Sequence, residues 1–219
     1  MKKLLVALLL ATMSFALVGC SKTNEENMPS EEIVSEENTE VSEEVSEEVS
    51  EETNSEDAVV SDNAGVEILT NVWNAFAEEE KFPAMGGDYD VMVDGAPGAF
   101  NVANTDNLTA MLYVPTDLAA DIDEGASLFH GMNLNTFTGA ALHLTDASNA
   151  EAFTTSLKEN ILGTQWMCGF PDTLVIFTVN DEYVVYAFGN VDAIATFKAK
   201  VAEVYGESAI LVAEENLAG

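Results

Sequence analysis

Leu174-Val175-Ile176-Phe177-Thr178-Val179 and Tyr183-Val184-Val185-Tyr186-Ala187-Phe188 are two β-branched and aromatic runs separated only by Asn180-Asp181-Glu182. Two such runs about a short polar turn predict a β-hairpin. Downstream, Asn190 can cap a helix whose apolar stripe is Ile194, Phe197, Val201 and Val204, and Gly206 suits its end. Ala209–Ala213 reads as a last short strand. Upstream, Thr136–Leu144 is strand-like, and Ser148-Asn149-Ala150-Glu151 has the spacing of a capping box. Phe153, Leu157 and Ile161 follow at helical spacing, with Gly163 at the end.

In order, about 136–213 is β-α-β-β-α-β. The predicted class is α+β: a ferredoxin-like antiparallel sheet with two helices on one face. Leu174-Val175-Ile176-Phe177 is apolar on both faces, whereas a sheet with one wet face alternates. The second face therefore needs a cover: the N-terminal helix, the 84–130 region or another subunit. That helix is predicted over 64–81, from Val66, Leu69, Val72, Trp73 and Phe76, with Asp62 or Asn63 as cap. Residues 84–107, rich in glycine, read as loop with a short strand at Tyr89–Val93. Leu108–Val114 alternates as an extra strand, and a weaker helix from Thr116 or Asp117 to about Phe129 follows.

The N-terminus reads as a targeting segment. Lys2 and Lys3 precede the apolar Leu4–Val18, which is short for a membrane span. Leu17-Val18-Gly19-Cys20 matches the lipobox of bacterial lipoproteins. The expectation is a signal peptide over 1–19 and a diacylglycerol thioether on Cys20, giving a lipid-anchored protein on the extracytoplasmic face of the cell membrane. Lipidation leaves Cys168 as the sole thiol, so no intramolecular disulfide can form. Residues 20–63 hold the anchor cysteine and an acidic spacer in which Val-Ser-Glu-Glu occurs at 34–37, 41–44, 45–48 and 49–52. One thin valine stripe amid dense like charge cannot offset ordering entropy, so a disordered tether is expected. Residues 64–219 are long enough for one globular domain.

Seven basic residues, all lysine, stand against 39 acidic ones, a net charge of −32. That balance excludes nucleic acid as a partner. The lack of arginine removes the usual bidentate clamp for phosphate or carboxylate ligands. Neutral or cationic ligands, or another envelope protein, are the partners left.

No catalytic signature stands out. His130 and His143 have no G-x-S-x-G elbow or Cys-His motif beside them and read as structural. Neither C-x-x-C nor H-E-x-x-H is present, so no metal site and no cofactor is assigned. The acidic stretches Asp88-Tyr89-Asp90 and Asp121-Ile122-Asp123-Glu124-Gly125 depart from the EF-hand order. Gly86-Gly87 lacks the phosphate-loop pattern and reads as a turn. Trp166-Met167-Cys168-Gly169-Phe170-Pro171-Asp172 is the most distinctive string. It reads either as a loop folded over the core edge or as a recognition loop presenting Trp166, Met167, Cys168 and Phe170.

The lipobox, the acidic spacer, the W-M-C-G-F-P-D string and the β-α-β-β-α layout together resemble short lipoproteins of unknown function from Gram-positive anaerobic bacteria. The resemblance covers most of 64–206 and implies location and domain count, with no chemistry to carry over. The expected function is a membrane-anchored binding or accessory module, leaning away from catalysis. The alternatives are an envelope enzyme with a site assembled from distant residues, or a self-associating structural protein.

Overall fold

The computed structural model describes residues 62–167 and 169–217. The expected signal peptide over 1–19, Cys20, residues 21–61 of the expected spacer and Cys168 lie outside them. The described chain is α+β, with one eight-stranded antiparallel sheet in the spatial order β2-β1-β4-β5-β7-β6-β8, and β3 beside β1 on the outer edge of β4. The elements are α1 (Ala64–Asn74), β1 (Ala84–Gly87), β2 (Met92–Asp94), β3 (Gly98–Ala99), α2 (Thr105–Leu112), β4 (Ile122–His130), β5 (Phe137–Leu144), α3 (Ala150–Leu162), β6 (Thr173–Val179), β7 (Tyr183–Gly189), α4 (Val191–Tyr205) and β8 (Ala209–Asn216).

The hairpin that opens the reading forms as expected, with Val179 opposite Tyr183. Asn180 and Asp181 take left-handed φ of 52° and 64°, which Asn and Asp tolerate better than other non-glycine residues. From β5 to β8 the chain order is the expected β-α-β-β-α-β, but the strand order is not ferredoxin-like. β8 pairs with the free edge of β6, not with β5, whose other edge is taken by β4. The consequence is geometric. β5→β6 and β7→β8 each skip one strand in the same direction across the sheet, yet β5 and β7 run oppositely. Right-handed crossovers then put α3 and α4 on opposite faces.

The packing bears this out. Val175, Phe177, Val185 and Ala187 face Ile194, Phe197 and Val201 of α4, together with Leu69, Val72 and Trp73 of α1. Leu174, Ile176, Val184, Tyr186 and Phe188 face Phe153, Leu157 and Ile161 of α3, with Leu108, Met111 and Leu112 of α2. The expected pair of helices on one face is corrected to a three-layer arrangement. The second face is covered by this chain's own elements, which is why β6 and β7 are apolar on both sides.

Five local expectations are also corrected. Leu108–Val114 is not a strand. Leu108, Met111 and Leu112 also satisfy helical spacing, and Asn104 caps α2 by accepting from the Asn107 N–H at 3.1 Å. The expected helix over 116–129 is a 3-10 turn at Thr116–Asp121 followed by β4. The small residues that disguised β4 let α1 come close: a Cβ at Gly65 would meet the Ala126 Cβ at 3.4 Å and the Ala141 carbonyl at 3.1 Å. Asn63 caps α1 as read, but the helix stops at Asn74, well before Lys81, and Phe82 folds back to 5.0 Å from the Trp73 ring. Of the strand expected at Tyr89–Val93, only Met92 and Val93 are in one, β2, and β1, β2 and β3 pack backbone to backbone. A Cβ at Gly86 would lie 2.1 Å from the Gly98 nitrogen. The capping box is not made either. Asp146 accepts from the Ser148 N–H at 2.9 Å and from its hydroxyl, capping a 3-10 turn ahead of α3.

Candidate functional site

β4 ends, β5 begins, β6 begins and β7 ends at the same end of the sheet. Two features meet there, separated by the 131–136 turn. The first is a cleft of about 370 Å³ lined by Glu79, Glu80, Phe82, His130, Thr136 and Asp192, among others. Phe82 forms its aromatic wall, stacked on His130 at 5.5 Å with an interplanar angle of 20° and packed on Phe137 at 4.8 Å. The His130 Nδ1 accepts from the Met132 N–H at 3.2 Å, so the neutral ring keeps its proton on Nε2. His130 ends a strand, not the helix expected for it.

The cleft includes the start of α4, whose positive end would ordinarily attract an anion. Here that end is already served by acceptors of the chain. The Asn190 side chain accepts from the Ala193 N–H at 2.9 Å, and Asp172 accepts from the Val191 N–H at 3.2 Å. Asp192 adds a carboxylate in the first turn. Glu80 accepts from the Ala77 N–H, and the Lys200 ammonium stands 3.9 Å from it. An aromatic wall beneath several carboxylates suits a neutral or cationic ligand with a flat or apolar body.

The second feature is the 166–170 loop. Trp166 turns inward, with its ring 4.8 Å from Tyr113 and 5.3 Å from Phe188. Met167 and Phe170 turn outward, 80% and 73% exposed, and Met132 on the neighbouring turn is 84% exposed. The Asn135 amide pins the loop, donating to the carbonyls of Met167 at 3.1 Å and Gly169 at 3.0 Å. The two readings of the string thus divide by residue: Trp166 closes the core edge, while Met167 and Phe170 present an apolar surface.

His143 lies elsewhere, on the face of β5 toward α1. Its Nδ1 pairs with Asp123 at 2.5 Å, and its ring is 5.0 Å from Tyr183. The Tyr183 hydroxyl donates to Glu124 at 3.0 Å, and burial and that carboxylate push its pKa well above the usual tyrosine value. A phenol so held keeps its proton at neutral pH, and no serine or cysteine reaches this pair among the described residues. The arrangement orients a histidine without giving it a nucleophile to activate.

The acidic stretches are likewise occupied by donors. Asp88 accepts from the N–H groups of Asp90, Val91 and Asn101, which makes its stretch a turn. Glu124 accepts from the Gly65 N–H as well as from Tyr183. No group of three or more His, Cys, Asp or Glu side chains that could hold a metal ion occurs among the described residues. None of their helices is long and apolar enough to cross a membrane.

Sequence reasoning singled out the 166–170 string but missed the cleft. Phe82 stood just past the end of the predicted helix, and Glu79, His130 and Asp192 are brought together only by the strand order. The available signal was local: Phe82-Pro83 after Glu78-Glu79-Glu80 is a large aromatic at a break in a charged run. Compared with known proteins, the chain matches no family model, no curated protein and no solved structure.

Proposed function

We propose that this chain is a lipid-anchored extracytoplasmic binding module of bacteria, held to the membrane through Cys20 on the acidic 20–63 spacer. In this reading it resembles short surface lipoproteins of Gram-positive anaerobes. Its ligand is a neutral or cationic small molecule taken into the Phe82–His130 cleft, with Met132, Met167 and Phe170 as the neighbouring contact surface for a larger ligand. The observation that carries the binding reading is the pairing of an aromatic wall with Glu79, Glu80 and Asp192 in one cleft.

Two experiments test the two halves. In cells fed a labelled fatty acid, the chain takes up label and fractionates with membranes, and Cys20→Ser loses both. Label on the variant would refute the anchor. In thermal-shift titrations with panels of neutral, cationic and anionic small molecules, the stabilising compounds come from the first two classes. Phe82→Ala weakens them about tenfold or more, as expected when an aromatic anchor contributing about 1.4 kcal/mol is lost. Stabilisation by anions alone would contradict the binding half.

A further inference from the structure

The sheet has two edges. One is β2, three residues long. The other is β8, Ala209–Asn216, whose one neighbour among the described residues is β6. No strand among the described residues pairs with the outer N–H and C=O groups of residues 209–215, which can therefore accept a further strand. Ile210, Leu211 and Val212 are consecutive on it and 54%, 41% and 46% exposed, so apolar side chains emerge on both faces of this edge. Natural edges are ordinarily protected by unpaired charge, often lysine. Here the charges are paired off. Lys158 of α3 reaches Glu215 at 3.4 Å on one face, and Lys198 of α4 bonds Glu214 at 2.5 Å on the other.

In a chain of net charge −32, this edge is a place where strand carboxylates are matched by lysines. Another copy of the same acidic chain can approach there without carboxylate facing carboxylate. We infer that β8 is a self-association edge: two copies pair their β8 strands antiparallel about a two-fold axis, joining two eight-stranded sheets into one. Such an interface is isologous, the same patch meeting itself.

The symmetry suits the sequence. A two-fold between Leu211 and Val212 sets Ile210 opposite the other copy's Ala213 and Ala209 opposite its Glu214. The apolar residues then meet at the centre, and Glu214 and Glu215 lie toward the two ends. The register of β8 shifts between its partners Ile176 and Phe177, which makes Val212 an extra residue at this centre. A bulge there sharpens the local twist. The pairing must accommodate that twist, and this is what the experiment decides.

The test is sedimentation velocity on residues 20–219 carrying Cys20→Ser, under reducing conditions, over a hundredfold concentration range. The wild-type strand gives twice the protomer mass at the upper end, and added salt shifts the midpoint to lower concentration by screening like charge. The double variant Ile210→Lys/Val212→Lys stays at the protomer mass, while Val91→Lys, a substitution at an exposed residue elsewhere, still dimerises. Circular dichroism of each variant confirms that it is folded. Hydrogen exchange reports the surface directly: amides of 209–216 slow in the dimer. A protomer mass at every concentration overturns the proposal and shows that the bulge protects the edge. So does a dimer that survives the double variant, or one in which the 209–216 amides exchange unchanged.

Discussion

Tyr186 is fully buried, and its hydroxyl donates to the Leu112 carbonyl at 2.6 Å, one of the acceptors left over where α2 ends. Tyr186→Phe keeps the packing but leaves that carbonyl without its donor, so a loss of about 1–3 kcal/mol in urea unfolding is expected. Burial raises the pKa of Tyr186, and burial with Glu124 raises that of Tyr183. An unfolded tyrosine titrates near pH 10. Up to that pH the stability is unaffected. Above it the unfolded chain releases these protons first, so stability falls as pH rises. Unfolding curves from pH 8 to 11 should show that fall, and Tyr186→Phe should flatten it. Trp166 and Phe170 give the complementary pair. Trp166→Ala removes a half-buried ring from Tyr113 and Phe188 and should cost about 2–3 kcal/mol. Phe170→Ala touches an exposed residue and should stay within about 0.5 kcal/mol, with its effect confined to binding. Equal losses for both would remove the division of the loop into a buried anchor and a presented surface.

At the level of elements, the capping prediction is the sharpest. Asn190 caps α4, the helix that both packs on the sheet and borders the cleft. Asn190→Ala should lower stability by about 1 kcal/mol, read as a reduced melting temperature. An unchanged melting temperature would mean that Asp172 and Asp192 serve the helix start without it. From β5 onward the elements were legible because each carries its own local signal: a period, a cap, a turn residue. Before β5 only α1 carried such signals, in its apolar spacing and its Asn63 cap. Leu108, Met111 and Leu112 fit both a strand and a helix, and seven residues are too few for periodicity to choose. β4 was hidden because Ala126 gives room to Gly65 of α1, Ala126 and Ser127 pair with β3, and Gly125 gives room to Val102 and Phe100, none of which follows strand propensity.

At the scale of the whole molecule, the presence of a second cover over the sheet could be inferred from Leu174-Val175-Ile176-Phe177. Its nature could not, because the side on which α4 lies follows from β8 choosing β6, a long-range pairing with no local mark. The cleft was hidden for the same reason: its wall comes from 79–82, the end of β4 and the start of α4. Charge acts at this scale too. In the proposed reading, a net charge of −32 sets copies of the chain against one another except where lysines match carboxylates, and the carboxylates of the cleft turn anions away. The central claim is that the tethered domain holds a neutral or cationic ligand at the Phe82–His130 end. Native mass spectrometry of the protein extracted from its own host tests it most directly. The account predicts a non-covalent adduct of a neutral or cationic molecule that is shed on denaturation and absent from Phe82→Ala. A bare chain, or an anionic adduct that Phe82→Ala retains, would contradict it.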